Sequence, residues 1–175
     1  MTCERMAPEA LQRRIRAWLV LFMAGLVVSG LTAFPLLWEL ELLVAGCDAF
    51  RGSVPAGLDA WIRHVHAGLA ATYRDWPFVA YGTDWLAFAH LSLAVFFIGP
   101  LRDPVRNLWV LHAGLIACVG VISLALICGP LRGIPLYWRL LDCSFGIFGG
   151  IPLWRALRLT RALEKRFASP QMPRR

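Results

Sequence analysis

The 21 residues from Ala17 to Leu37, AWLVLFMAGLVVSGLTAFPLL, contain no ionisable side chain. As a helix rising ~1.5 Å per residue they extend roughly 31 Å, enough to cross a hydrocarbon core of ~30 Å. The run exceeds a typical signal-peptide core, and no small-x-small cleavage site follows it. LVAGC at Leu43–Cys47 resembles a lipoprotein signal, but Glu39 and Glu41 separate it from the apolar run. The segment is therefore read as a retained membrane helix. Further apolar stretches lie at about 85–101, 108–128 and 138–154. With 58% hydrophobic residues and a mean hydropathy of +0.59, the chain is too apolar for an ordinary soluble domain. The expected fold is an all-α integral membrane protein. It has four transmembrane helices (about 17–37, 85–101, 108–128 and 138–154) in an antiparallel bundle, within a single membrane domain.

Charge sets the expected orientation. The N-terminal segment, the 102–107 joint and the tail from Arg155 hold thirteen Lys and Arg residues; the segments 38–84 and 129–139 hold five. The positive-inside rule then places both termini in the cytoplasm and the protein in the cell (inner) membrane as a multi-pass protein. Seventeen Arg against the single Lys165 point to GC-rich coding and a bacterial source. The net charge of +7 does not indicate nucleic-acid binding, because the basic residues flank apolar spans, where they act as topology signals and anionic-lipid contacts. Within the extracytoplasmic segment 38–84, Leu58, Trp61, Ile62, Val65, Leu69 and Tyr73 recur at steps of three and four. That spacing predicts an amphipathic helix over about 56–75, lying on the outer surface or capping the bundle. A basic tail, 155–175, ends the chain. The tetrapeptide GPLR occurs at Gly99–Arg102 and again at Gly129–Arg132. The spans before the two copies share almost no identities, so these are expected to be two independent helix stops, with Gly past the helix end and Pro preventing continuation.

Histidines and cysteines are the first places to look for chemistry. His90 and His112 fall in adjacent spans but, on this topology, at depths roughly 15 Å apart, which opposes a shared haem. His64 and His66 point about 200° apart on their helix and cannot easily share a metal. No CxxC, HExxH, GxSxG or P-loop pattern occurs, and no metal or cofactor is expected. Of the five cysteines, Cys3, Cys47, Cys118, Cys128 and Cys143, the pair Cys128–Cys143 could meet near the outer face. The favoured reading is buried thiols.

Ionisable residues also gather near the expected outer face: Glu39 and Glu41 after the first span, Asp84 and His90 on the second, and Arg132, Arg139 and Asp142 around the fourth. As a site, Glu39, Asp84, His90 and Asp142 would line an outward pocket for a lipid or quinone-like ligand, with His90 as the proton-transfer group. As structure, Asp142 would pair with Arg139 or Arg132, and Asp142→Ala would cost about 3 kcal/mol. Small-residue pairs (Gly25 and Ser29, Gly114 and Cys118, Gly146 and Gly150) allow close helix packing. Pro35 and Pro152 are expected to kink their helices. The four-span layout resembles that of small bacterial four-span membrane families, the DoxX-like one included, and no motif carries an activity over from them. The favoured function is a non-catalytic accessory or scaffold subunit. Its expected partners are membrane lipids and other membrane subunits, or a second copy packed through Gly146 and Gly150. The alternative is a lipid- or quinone-binding protein or small enzyme.

Overall fold

The computed structural model describes residues 8–168. It is 88% helix, with no strand among the described residues. The helices are α1 (Pro8–Ala33), α2 (Leu36–Ala49), α3 (Ala56–Asp75), α4 (Tyr81–Phe96), α5 (Ile98–Arg102), α6 (Leu108–Leu131) and α7 (Leu136–Ala168), with a 3-10 turn at Pro77–Val79. Four helical stretches, Pro8–Ala33, Pro77–Arg102, Leu108–Leu131 and Leu136–Phe167, are long and apolar enough to cross a membrane. Large apolar side chains such as Val28, Val95, Ile116, Leu124 and Phe148 are exposed along them. Exposure of that kind is costly in water and favourable against lipid.

The chain divides into two compact units. The first takes the residues up to Gly25 and from Ala94 onward; the second is Leu26–Leu93.

The centre of the first unit is the antiparallel hairpin α6–α7. Its register is set by side chains that approach glycines. A Cβ on Gly146 would lie 2.5 Å from the Cys118 carbonyl and 2.8 Å from Ile122 Cγ1. Further along, a Cβ on Gly114 would lie 2.8 Å from both Leu153 Cδ1 and Phe97 Cζ. Small residues let the two backbones approach where no hydrophobic drive exists. The turn between the helices uses Gly133 at φ +70°, a left-handed conformation that an L side chain rarely adopts. Phe22 of α1 joins this unit through its ring contact with Phe97 at 4.7 Å.

Both helices at the charged end of the unit run further than the apolar runs alone indicate. Helix α1 begins at Pro8, and Arg13, Arg14 and Arg16 lie within it rather than before it. Helix α7 continues through the basic tail to Ala168 and passes Pro152 without a break. The cause is a buried stripe beneath the charges. Leu11, Ile15 and Leu19 are fully buried at steps of four, and Leu153, Ala156, Leu157, Thr160 and Leu163 are buried at steps of three and four.

In the two GPLR copies, Gly99 lies inside α5 and Gly129 inside α6, not past the helix ends. Their shared role is to admit a side chain. Asn107 Oδ1 would lie 3.0 Å from a Cβ on Gly99, and the stem of Arg139 lies directly over Gly129. Arg102 does end α5 and Arg132 does cap α6.

In the second unit, the first apolar run breaks at Phe34–Pro35. Pro35 is not a kink within one helix but the N-cap of α2, and the Glu39 N–H donates to its carbonyl at 3.0 Å. Helices α2 and α3 pack as a hairpin. α3 meets α4 through a 3.2 Å hydrogen bond between the hydroxyls of Tyr73 and Thr83. Gly30, near the end of α1, accepts α4 closely: the Ala87 carbonyl would stand 3.0 Å from a Cβ there.

Candidate functional site

The residues expected to form the outward pocket are divided between the units. Glu39 lies in the first turn of α2, Asp84 in the first turn of α4 and His90 two turns further along, all in the second unit. Asp142, Arg132 and Arg139 belong to the first unit. Glu39, Asp84, His90 and Asp142 are all half-buried. The His90 ring folds back on its own helix, with Nδ1 2.8 Å from the Leu86 carbonyl. A carbonyl oxygen only accepts, so Nδ1 is the protonated nitrogen. Among the described residues, no hydrogen bond or ion pair joins His90 to Glu39 or Asp84. The imidazole therefore lacks, within its own unit, the carboxylate that would orient it for proton transfer.

Neither Arg139 nor Arg132 pairs with Asp142 among the described residues. Helical side chains lean toward the N-terminus. Arg139 accordingly reaches back over Gly129, with Cγ 2.7 Å from where a Cβ there would lie, and away from Asp142 one turn ahead. Its Nε is buried without a hydrogen-bond partner among the described residues. The loss of about 3 kcal/mol expected for Asp142→Ala has no ion pair to come from. Cys47, Cys118, Cys128 and Cys143 are free thiols, so Cys128 and Cys143 are not bridged; Cys47 and Cys143 are buried as expected, but Cys118 is half-buried and Cys128 exposed, and Cys3 lies outside the described residues. Among the described residues, no three His, Cys, Asp or Glu side chains gather as a metal site.

The polar cluster that does form lies on the α2–α3 hairpin. Asp48 accepts from Arg51 at 2.9 Å and from Arg63 at 2.7 Å, and Arg63 Nε donates to Asp59 at 3.0 Å. The hydrogen bonds from Arg51 and Arg63 hold the Asp48 carboxyl below the ordinary carboxylate range. The Cys47 thiol lies beside Asp59. Burial first, and then that neighbouring carboxylate, push the thiol up and so disfavour the thiolate. The spacings Asp48–Arg51 and Asp59–Arg63 were visible in the sequence as i,i+3 and i,i+4 pairs. The link from Asp48 to Arg63 depends on the hairpin and was not.

A second polar contact links the hairpin of the first unit. His112 Nδ1 is 3.0 Å from the Leu108 carbonyl, and its Nε2 is 2.8 Å from Arg161 Nη2. Arginine only donates and a carbonyl only accepts. His112 is thus neutral, protonated on Nδ1, with Nε2 receiving the guanidinium proton. The sequence signal for this contact was weak, because Arg161 lay in what read as a tail.

An open groove of about 270 Å3 runs along α6 and α7, lined by apolar residues including Leu115, Cys118, Ile122, Gly150 and Trp154. A second cleft, of about 400 Å3, lies at the basic end of the same unit between Gln12, the joint 102–106, Leu163 and Phe167. No protein-family model matches this chain, and no curated protein or solved structure matches it either.

Proposed function

We propose that the protein is a non-catalytic scaffold or accessory subunit of a membrane assembly. In this reading its helices form an antiparallel four-span bundle in the cell membrane, with both termini in the cytoplasm and α3 on the outer side. The observation that carries it is the apolar groove on α6–α7. Its lining includes Cys118, Gly146 and Gly150, and the α6 side has no charged residue from Leu108 to Leu131. Gly146 is already occupied by packing against α6 within the chain. What remains open is the apolar channel beside it, whose small residues offer a packing surface to a membrane-spanning helix of another subunit. Asp48, Arg51, Asp59 and Arg63 of the second unit are bonded to one another, Arg74 to Asp75, and His90 to its own backbone. That leaves little of the constellation a catalytic pocket needs.

Extraction from native membranes in mild detergent tests the reading. A stoichiometric membrane partner should co-purify with the wild type, and Gly150→Leu should release it while the protein stays folded. The lipid- or quinone-binding alternative predicts instead a bound small molecule that is lost when Glu39, Asp84, His90 and Asp142 are replaced by their neutral isosteres or Gln. Loss of a ligand with those four changes, and no partner in the wild type, would replace the scaffold reading.

A further inference from the structure

We propose that the cleft at the basic end of the first unit binds the phosphate of an anionic phospholipid, with Arg102 as its principal ligand and Arg106 as its second. The cleft lies between the joint 102–106 and Gln12, Leu163 and Phe167. The joint that carries the arginines is a built turn. Asp103 N–H donates to the Gly99 carbonyl at 2.9 Å, Asp103 Oδ1 accepts from the Arg106 N–H at 3.1 Å, and Asn107 Nδ2 donates to the Asp103 carbonyl at 2.8 Å. These bonds fix the joint that sets both guanidinium-bearing side chains on one cleft. The Arg102 side chain has no hydrogen bond or ion pair among the described residues, and the Arg106 guanidinium has only a loose 3.8 Å approach to Asp103, with the side chain 86% exposed. Guanidinium presents paired donors that fit phosphate oxygens bidentately, and unpartnered donors need not give up a bond to do so.

Two features favour a lipid over free phosphate. The cleft is amphipathic: Leu163 and Phe167 on α7 supply apolar walls beside the arginines, and Phe167 is 69% exposed. The joint also immediately precedes the apolar helix α6, whose second residue, Trp109, is 72% exposed, as expected of an aromatic side chain at headgroup depth.

Asp103 makes the proposal specific. Its carboxylate lines the cleft and offsets Arg106, so the uncompensated charge is that of Arg102. A diffuse attraction to anionic membranes would weigh every exposed arginine of this end alike; a cleft site would not. Native mass spectrometry of the full chain, exchanged into micelles doped with phosphatidylglycerol or phosphatidylcholine, separates the two. The expected result is retained phosphatidylglycerol and no retained phosphatidylcholine. Arg102→Gln should reduce retention on the order of tenfold, as loss of a charge-assisted hydrogen bond does. Arg106→Gln should reduce it less, Asp103→Asn (which keeps an acceptor for the Arg106 N–H) should raise it, and Arg14→Gln should leave it unchanged. Helix content and melting temperature should be those of the wild type in each variant, and Arg102→Lys should restore part of the binding. Equal losses for Arg14→Gln and Arg102→Gln would overturn the site in favour of diffuse attraction. Displacement of the lipid by millimolar inorganic phosphate would overturn the lipid as its ligand.

Discussion

Arg161 and His112 lie 49 positions apart, and their 2.8 Å contact is a side-chain hydrogen bond that crosses the α6–α7 hairpin. Because the donor can only be the arginine, each partner has a distinct loss on mutation. His112→Phe removes the acceptor, and Arg161→Ala the donor; each should destabilise the hairpin by about 1 kcal/mol. The double variant should cost little more than either single one, since both remove one interaction. Equilibrium unfolding in detergent measures this cycle, and fully additive losses would mean that the contact contributes nothing. The contact also marks where the sequence was hard to read at this scale. His112 was legible as an ionisable group near a span end, but its partner lay among charges that hydropathy assigns to a tail. Asp142 and Arg139 illustrate the opposite case. Their spacing suits a pair, yet the nearest space for the arginine stem is over Gly129, and the spacing alone could not reveal that.

At the scale of elements, the apolar periods were legible and the helix ends less so. Charged side chains mask a buried stripe in any hydropathy average, which is why α1 and α7 run beyond their apolar cores. The small residues, too, were legible only as a class. Gly146 and Gly25 look alike in sequence, but a Cβ on Gly146 would meet the Cys118 carbonyl at 2.5 Å, and one on Gly25 would meet nothing within 4 Å. Gly146→Ala should therefore destabilise the hairpin by about 2 kcal/mol, as overpacking against backbone does. Gly25→Ala should be neutral or slightly stabilising, because alanine is the better helix former. Thermal unfolding of the two variants side by side tests the distinction.

The α2–α3 hairpin carries the pH dependence. Asp48 binds its proton less readily when folded than when unfolded, because Arg51 and then Arg63 favour the carboxylate. The stabilisation from these bonds is therefore complete above the ordinary carboxylate value of ~3.9 and is lost as pH falls through the lower folded-state value. Amide hydrogen exchange over Leu36–Asp75 should show constant protection from neutral pH down to about pH 4 and falling protection below it. Asp48→Asn should abolish that acid-dependent loss. A loss that persists unchanged in Asp48→Asn would assign it to another group.

At the scale of the molecule, four stretches long and apolar enough to span a membrane account for most of the chain, and that much was legible from composition and run length. The helix faces that meet were not, because a similar depth along four helices does not fix them, and His90 illustrates the point by bonding its own helix. The proposed scaffold role rests instead on a surface, the groove of α6–α7, with Val119 and Ile147 in its lining and Phe148 outside it. All three side chains are exposed, at 63%, 53% and 70%. Site-specific photo-crosslinking from these positions in intact membranes is the most direct test. The scaffold account predicts one protein adduct of the same mass from Val119 and Ile147, corresponding to a different membrane subunit, and lipid adducts alone from Phe148. Lipid adducts alone from all three positions would contradict it.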